Sequence, residues 1–312
     1  MSLHNIFGLL CAVGMFLFGI DIMGEGLRDA CSDRMKSLLS LCTKNRFWGV
    51  ITGFAVTAII QSSSATTVMA VSFIDSGLMT LSQSVGIIMG ANIGTTVTSL
   101  LIAINFSSIA PIAVFIGTVL KMFSKSKKLQ SAGLVLVGFG LLFVAMSSMS
   151  SFMAFFKDNG SADRLIAACD SKIKSLLIGF IITAIMQSSS ATVGILQSVA
   201  NSGLISCRMA VYILFGQNIG AVIPTLLAAI KANRQAKKAA VVHLLFNVIG
   251  TGIFIIICEF FPYITMLEKI NNPALQVSAA HIIFNVISTV MLFPFGNTLA
   301  KLADKSVIRV VK

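Results

Sequence analysis

The block Gln61-Ser62-Ser63-Ser64-Ala65-Thr66 recurs 126 residues later as Gln187-Ser188-Ser189-Ser190-Ala191-Thr192. The offset holds for the neighbourhood. Gly53-Phe54 matches Gly179-Phe180, Thr57 matches Thr183, and Ser76-Gly77-Leu78 matches Ser202-Gly203-Leu204. Gly90, Asn92, Ile93 and Gly94 match Gly216, Asn218, Ile219 and Gly220. Residues 49–96 and 175–222 align without a gap and share 21 of 48 positions. A duplication this long is an architectural unit, so the chain must fold as two copies of one set of elements. Each copy also places a polar run inside an apolar segment, which an ordinary span does not need.

The host segments belong in a membrane. The chain is 56% hydrophobic and 11% charged, against roughly 25% charged in soluble domains, and its mean hydropathy is +0.94. Uncharged windows at 76–120, 129–156, 209–230, 239–258 and 270–300 each reach the roughly 20 residues that cross a bilayer. The net charge of +12 does not indicate nucleic acid, because the basic residues sit in short loops between apolar runs. Cys11, Cys31, Cys42, Cys169, Cys207 and Cys258 show no metal-binding spacing and read as small packing residues. The N-terminus lacks a signal-peptide pattern, so the first apolar run is expected to be retained.

Taken in order, residues 6–27 read as a first span and 28–46 as a mixed-charge solvated or interfacial segment. Asp21 and Glu25 are expected near the end of that span, in the interface. In the region about 48–75 the polar run leaves arms of 13 and 10 residues. These reach about 20 and 15 Å at 1.5 Å per residue, too short for a hydrocarbon core of about 30 Å. A re-entrant helical hairpin with its tip near the midplane fits, and the copy at about 175–201 behaves alike; the alternative is one straight helix through each motif. Trp48 is expected to anchor the first hairpin at the interface. Spans follow at 82–105, 108–123, 130–150, 209–230, 236–260 and 274–302. Two of them are expected to be unwound, at Gly90–Thr96 and at the matching Gly216–Gly220.

Each repeat then holds three crossings and one hairpin, and an odd number of crossings inverts the second repeat. The expected fold is all-α: a polytopic membrane transporter with two inverted repeats, each with a re-entrant hairpin and an interrupted span. The first repeat covers 1–126, the second 127–260, and 261–312 supplies the final span and C-terminus. Loops 28–46, 121–128, 231–238 and the C-terminus, here called side B, carry 17 Lys and Arg, against 6 on the opposite side A. The positive-inside rule makes side B cytoplasmic, with the N-terminus outside, in a cell (inner or plasma) membrane.

Two hairpin tips meeting at mid-depth would combine helix N-termini, which favour an anion, with helix carbonyl ends, hydroxyls and amides, which suit cations. An oxyanion with sodium ions suits such a cage. No Lys or Arg lies in either hairpin or interrupted span, so backbone, hydroxyls and cations would hold the anion. The bland reading of Ser and Thr in spans is helix-to-helix glue; duplication of a six-residue block argues for function. An intramembrane serine hydrolase using Ser64 or Ser190 with His243 or His281 is the competing class. Duplication and the lack of a Gly-x-Ser-x-Gly elbow argue against an enzyme.

The paired QSSSAT blocks, followed by Gly-Ala-Asn-Ile-Gly-Thr-Thr in one half and Gly-Gln-Asn-Ile-Gly in the other, resemble the type II sodium/phosphate cotransporter family with its bacterial members. The resemblance spans about residues 5–300. It implies sodium-coupled symport of inorganic phosphate across a lipid bilayer, with sodium as coupling ion and no organic cofactor. Ser62, Ser63, Ser64, Ala65, Thr66, Ser188, Ser189, Ser190, Ala191 and Thr192 would hold phosphate. Gln61, Asn92, Thr95, Thr96, Gln187 and Asn218 would hold sodium. A phosphate exporter or a carrier of another anion is the alternative within transport, and a homodimer is compatible with the resemblance. His243-Leu-Leu-Phe-Asn247 and His281-Ile-Ile-Phe-Asn285 match a family element and are candidates for gating or coupling, or else core residues bonded across helices. The first repeat lacks that element, having Gly117, Leu120 and Lys121 at the offset positions. The acidic residue of electrogenic animal members is replaced by Ile104-Asn105-Phe106-Ser107. Bacterial relatives often append a phosphate-regulator-like domain. The sequence stops at Lys312, so that control is expected to be absent.

Overall fold

The computed structural model describes residues 3–41, 45–104, 106–158 and 171–310. Cys42, Lys44, Asn105, Arg164 and Cys169 lie outside the described residues. Those described form helices α1 (Leu3–Leu41), α2 (Arg46–Ile60), α3 (Ser63–Asp75), α4 (Leu81–Ala103), α5 (Ala110–Phe123), α6 (Lys127–Asp158) and α7 (Lys172–Met186). They continue with α8 (Ser189–Asn201), α9 (Cys207–Gly220), α10 (Ile223–Ala229), α11 (Arg234–Phe260), α12 (Tyr263–Glu268), α13 (Pro273–Leu292) and α14 (Gly296–Val310). Among the described residues, six helical segments are long and apolar enough to cross a membrane: Asn5–Cys31, Leu81–Ala103, Lys127–Phe155, Cys207–Ala229, Arg234–Phe260 and Pro273–Leu292. The protein is a multi-pass membrane protein.

The duplication is visible in the element bounds. Adding 126 carries α2 onto α7 and α3 onto α8, end for end, and carries α4 onto the pair α9 and α10. Each short pair is a true reversal. Gln61 and Gln187 end α2 and α7 in the left-handed region, at φ 60° and 53°, where non-glycine residues are uncommon. Ser62 and Ser188 then cap α3 and α8 through their side chains. The arms are tied below each tip, Thr57 donating to Thr66 over 2.9 Å and Thr183 to Thr192 over 3.1 Å. A straight helix would hold residues nine apart about 13 Å from each other.

Glycines set the packing directions. On α1 and α6, Gly8 meets Phe152, Gly19 meets Leu142 and Gly26 meets Ser131, so these helices run antiparallel. Gly49 meets Gly86, Gly53 meets Ile87 and Gly90 meets Val50, so α2 and α4 run parallel. Gly179 and Gly216 set α7 parallel to α9 in the same manner, against Ile213 and Leu176. The first hairpin therefore leaves and returns to the end of the bundle where α4 starts. Ser150 bonds Ser198 near the far end of α8, and α6 ends on that side, so the second hairpin opens at the opposite end. Side-B segments gather at one end. Arg46 donates to Ser82, Asn297 and the Phe293 carbonyl, Asn233 bonds Asp75, and Asp304 pairs with Arg234 and Lys238. Hydrogen bonds from Lys238 and then Arg234 hold the Asp304 carboxyl below its usual range. At the other end Lys172 pairs with Glu259.

Three expectations need correction, and one expected crossing is shorter than its bounds suggested. Residues 81–103 form one unbroken helix rather than unwinding at Gly90–Thr96. Thr95 and Thr96 donate to the Ala91 and Ile93 carbonyls, so their hydroxyls are satisfied within the helix, and the glycines serve close contact with α2. In the second half the break falls at Ala221-Val222, after Gly220, because Pro224 removes a helical donor there. The crossing expected at 108–123 is a 14-residue helix, about 21 Å long, packed antiparallel on α6. The final span ends at Leu292; after Pro294 the chain continues as α14, lying against α11.

Candidate functional site

The two tips meet. Ser63 Oγ lies 3.2 Å from Ser189 Oγ, its own counterpart 126 residues on. Equivalent positions of the two copies are thus in contact. Ser64 Oγ also reaches the Gln187 carbonyl oxygen at 3.4 Å. Around this contact lies a cavity of about 170 Å³. Its lining includes Gln61, Ser62, Ser63 and Ser64 from one tip and Ser188, Ser189, Ser190 and Ala191 from the other. Ser62 accepts from the Ala65 amide and Ser188 from the Ala191 amide, at 3.2 and 3.4 Å. The first amides of α3 and α8 have no carbonyl four residues back, so both helices direct free donors and positive dipole ends at the tip region.

The other expected ligands are placed elsewhere. Thr66 and Thr192 are buried and spend their hydroxyls on the cross-arm bonds and on carbonyls of their own helices. Ala65 is exposed and, like both threonines, is outside the cavity lining. Of the candidate sodium residues, only Gln61 lines the cavity, with its Oε1 accepting from Thr98 over 2.7 Å. Asn92 is buried and donates to the Ile88 carbonyl. Thr95 and Thr96 are buried in α4, the Gln187 side chain is exposed, and the Asn218 amide nitrogen is buried without a partner.

The histidines stand away from this lining. His243 Nδ1 lies 3.1 Å from Thr225 Oγ1, which lies 2.7 Å from Thr67 Oγ1, linking α11, α10 and α3. Asn247 and Asn285 donate to the carbonyls of His243 and His281, four residues back. That leaves both amide oxygens, His281 Nδ1, Thr251, Ser278, Ser288 and Thr289 buried without partners among the described residues, a polar seam along α11 and α13. His243 fits the cross-helix core reading; His281 has no such partner among the described residues.

The cavity also holds two residues that were assigned to the interface or the solvated loop. Asp21 and Arg28 line it, with Leu17, Ile20 and Gly24 on the same face of α1. The Arg28 guanidinium donates to the Ile60 carbonyl at 3.4 Å, the carbonyl end of α2. Helix α1 runs 39 residues, about 58 Å, past its apolar stretch, so the tips fall beside residues 17–28 rather than beyond the span. The spacing 17, 21, 24, 28 is a single helical stripe, and an acidic residue inside an apolar run is a site hypothesis by default. That signal was present in the sequence. A second cavity, of about 250 Å³, lies toward the opposite end of α6 and is lined by Ser147, Ser150, Ser151, Asn201 and Asn272 among others. Ser147 and Ser150 are the counterparts of Asp21 and Gly24.

The family described as Na+/Pi-cotransporter matches residues 15–151 and 154–293. An uncharacterized protein of Bacillus subtilis, YqeW, is 32% identical over 239 residues, 76% of this chain and 78% of its own length. A putative inorganic phosphate export protein of Escherichia coli O157:H7, YjbB, is 26% identical over 85% of this chain and 48% of its own length. Against it, therefore, the chain spans about half the relative. The sheep sodium-dependent phosphate transport protein 2A is 46% identical over 100 residues, 31% of this chain and 15% of its own. No solved structure matches. With both halves matched separately, the chain belongs to the Na+/Pi-cotransporter family.

Proposed function

We propose that this protein is a secondary transporter that carries inorganic phosphate by sodium-coupled symport, binding it in the cavity between the two tips. The observation that carries this reading is the meeting of Ser63 and Ser189 inside a cavity lined by both serine runs. The tips are two re-entrant hairpins of inverted repeats covering 1–126 and 127–260. The antiparallel counterparts α1 and α6 and the opposite openings of the hairpins support this. With side B cytoplasmic, the first hairpin enters from the cytoplasm and the second from outside. The cavity lining contains no histidine, which disfavours a serine hydrolase. The printed names of the YjbB relatives favour a second direction, phosphate release from the cell. Purified protein in proteoliposomes separates these: a sodium gradient should drive phosphate inward, and no phosphate movement in either direction would defeat the reading.

Orientation is tested with cysteines at Ser76 and Ser202, counterparts at the two hairpin openings whose hydroxyls bond only nearby carbonyls. In a background lacking the six native cysteines, a membrane-impermeant thiol reagent added outside should label position 202 and spare position 76. Labelling of both from one side rejects the inverted arrangement.

Ser64→Ala and Ser190→Ala should each raise the phosphate KM or lower the rate by about 5- to 150-fold, the equivalent of about 1–3 kcal/mol for a partner left unpaired. Thr118 is the neutral control: it is exposed on α5 and bonds its own helix at the Val114 carbonyl. Thr118→Ala should transport normally, and normal transport by both serine variants would make the serine runs structural.

A further inference from the structure

The tip cavity contains one basic and one acidic side chain, Arg28 and Asp21, both from α1. They are seven residues apart on one face, about 10 Å along the axis. Among the described residues neither is in an ion pair; Arg28 donates only to the Ile60 carbonyl. Their counterparts in the second repeat are Ser147 and Ala154. The serine runs are thus duplicated while the charges are not.

We propose that Arg28 is the charged ligand of the transported oxyanion. Asp21 is the fixed counter-charge that makes anion entry depend on a cation. This rests on the phosphate-transport reading and adds the recognition residue to it. The reasoning is electrostatic. The guanidinium is a permanent charge with several donors. One of its nitrogens is held on the carbonyl end of α2, which fixes the head beside Ser62, Ser63 and Ser64. Backbone dipoles at the tips add partial charge, but only Arg28 supplies a full one. Asp21 cancels it, so the empty cavity carries no net fixed charge from side chains. A doubly charged phosphate entering a cavity of that kind leaves two negative charges uncompensated, and Coulomb energies inside a protein exceed those in bulk water. Cations entering with it remove that penalty. Coupling then follows from the cavity's own charge count, and from only one of the two repeats.

The two charges predict effects of opposite sign. Radiolabelled phosphate binding to purified protein is measured across sodium concentrations, with Arg28→Gln, Arg28→Lys and Asp21→Asn beside the wild type. Arg28→Gln should weaken phosphate binding about 10- to 100-fold at saturating sodium, and Arg28→Lys should recover most of that loss. Asp21→Asn should tighten binding about tenfold or more in sodium-free buffer and flatten its sodium dependence. A merely structural role for Asp21 could weaken binding but could not strengthen it. Size-exclusion profiles identify any variant that fails to fold, and if Arg28→Gln is one, Arg28→Lys and Asp21→Asn decide the matter. Wild-type protein that binds phosphate, with Arg28→Gln unchanged or Asp21→Asn weakened, overturns this inference alone. Wild-type protein that binds no phosphate at any sodium concentration overturns the transport reading and this inference with it.

Discussion

Gly216→Ala is expected to prevent recovery of folded protein rather than to slow transport. A Cβ at Gly216 would lie 1.8 Å from the Leu176 carbonyl oxygen and 2.8 Å from the Phe180 amide nitrogen. Both are backbone atoms of α7, so no side chain can swing aside. The counterpart Gly90 faces Val50 and Phe54 of α2 at 2.0 and 2.8 Å. Overpacking of a core costs about 1–3 kcal/mol where side chains can adjust, and more where backbones must move. Here α9 would have to separate from α7 along their shared length, and α7 carries the second tip. Small residues are also what holds helices together in lipid, where apolar surface alone gives no preference for protein over hydrocarbon. The melting temperature of detergent-purified protein should therefore drop sharply, or the variant should elute as aggregate, with Gly90→Ala behaving alike. Gly14→Ala is the comparison, since nothing lies within 4 Å of its added Cβ. A Gly216→Ala protein that melts with the wild type would mean that α7 and α9 pack less closely than described.

The same glycines explain what the sequence disclosed and what it concealed. The duplicated block was legible because its unit is contiguous: Gln61 through Thr66 and Gln187 through Thr192 form tips by local chemistry, a left-handed glutamine followed by a serine cap. Arm length alone then argued for reversal, and the cross-arm threonine bonds agree. Gly90 and Gly94 were misread because a glycine that permits unwinding and one that permits helix contact look alike in one dimension. Only the neighbour decides, and Val50 and Thr57 are some 40 residues away. Arg28 was misplaced for a related reason. A charged residue ordinarily marks the end of a span, whereas α1 continues as a helix past Arg28 and the hairpin tip folds back beside its middle. The offset of 126 could not reveal Asp21 and Arg28, because they are what the second repeat lacks.

Replacing sodium by choline should reduce phosphate uptake into proteoliposomes to the level of protein-free vesicles, and an inward proton gradient should not restore it. A tenfold inward sodium gradient supplies about 1.4 kcal/mol per coupled ion, so a strictly coupled carrier stops accumulating phosphate when that term is removed. The proposed sodium coupling is in keeping with a lining rich in oxygen: hydroxyls of Ser62, Ser63, Ser64, Ser188, Ser189 and Ser190 and the amide of Gln61. Such ligands suit a hard cation and do not titrate near neutral pH. The histidines are poor proton carriers for this cavity, since neither lines it and His243 is held to Thr225. Asp21 is different. It is the one acidic side chain in the cavity lining, and carboxylates in spans do serve as proton relays in transporters. The choline experiment therefore includes Asp21→Asn. If Asp21 only balances charge, uptake by the variant still requires sodium, though less steeply. Full uptake in choline under a proton gradient, lost in Asp21→Asn, would overturn sodium coupling and make that carboxylate the proton carrier.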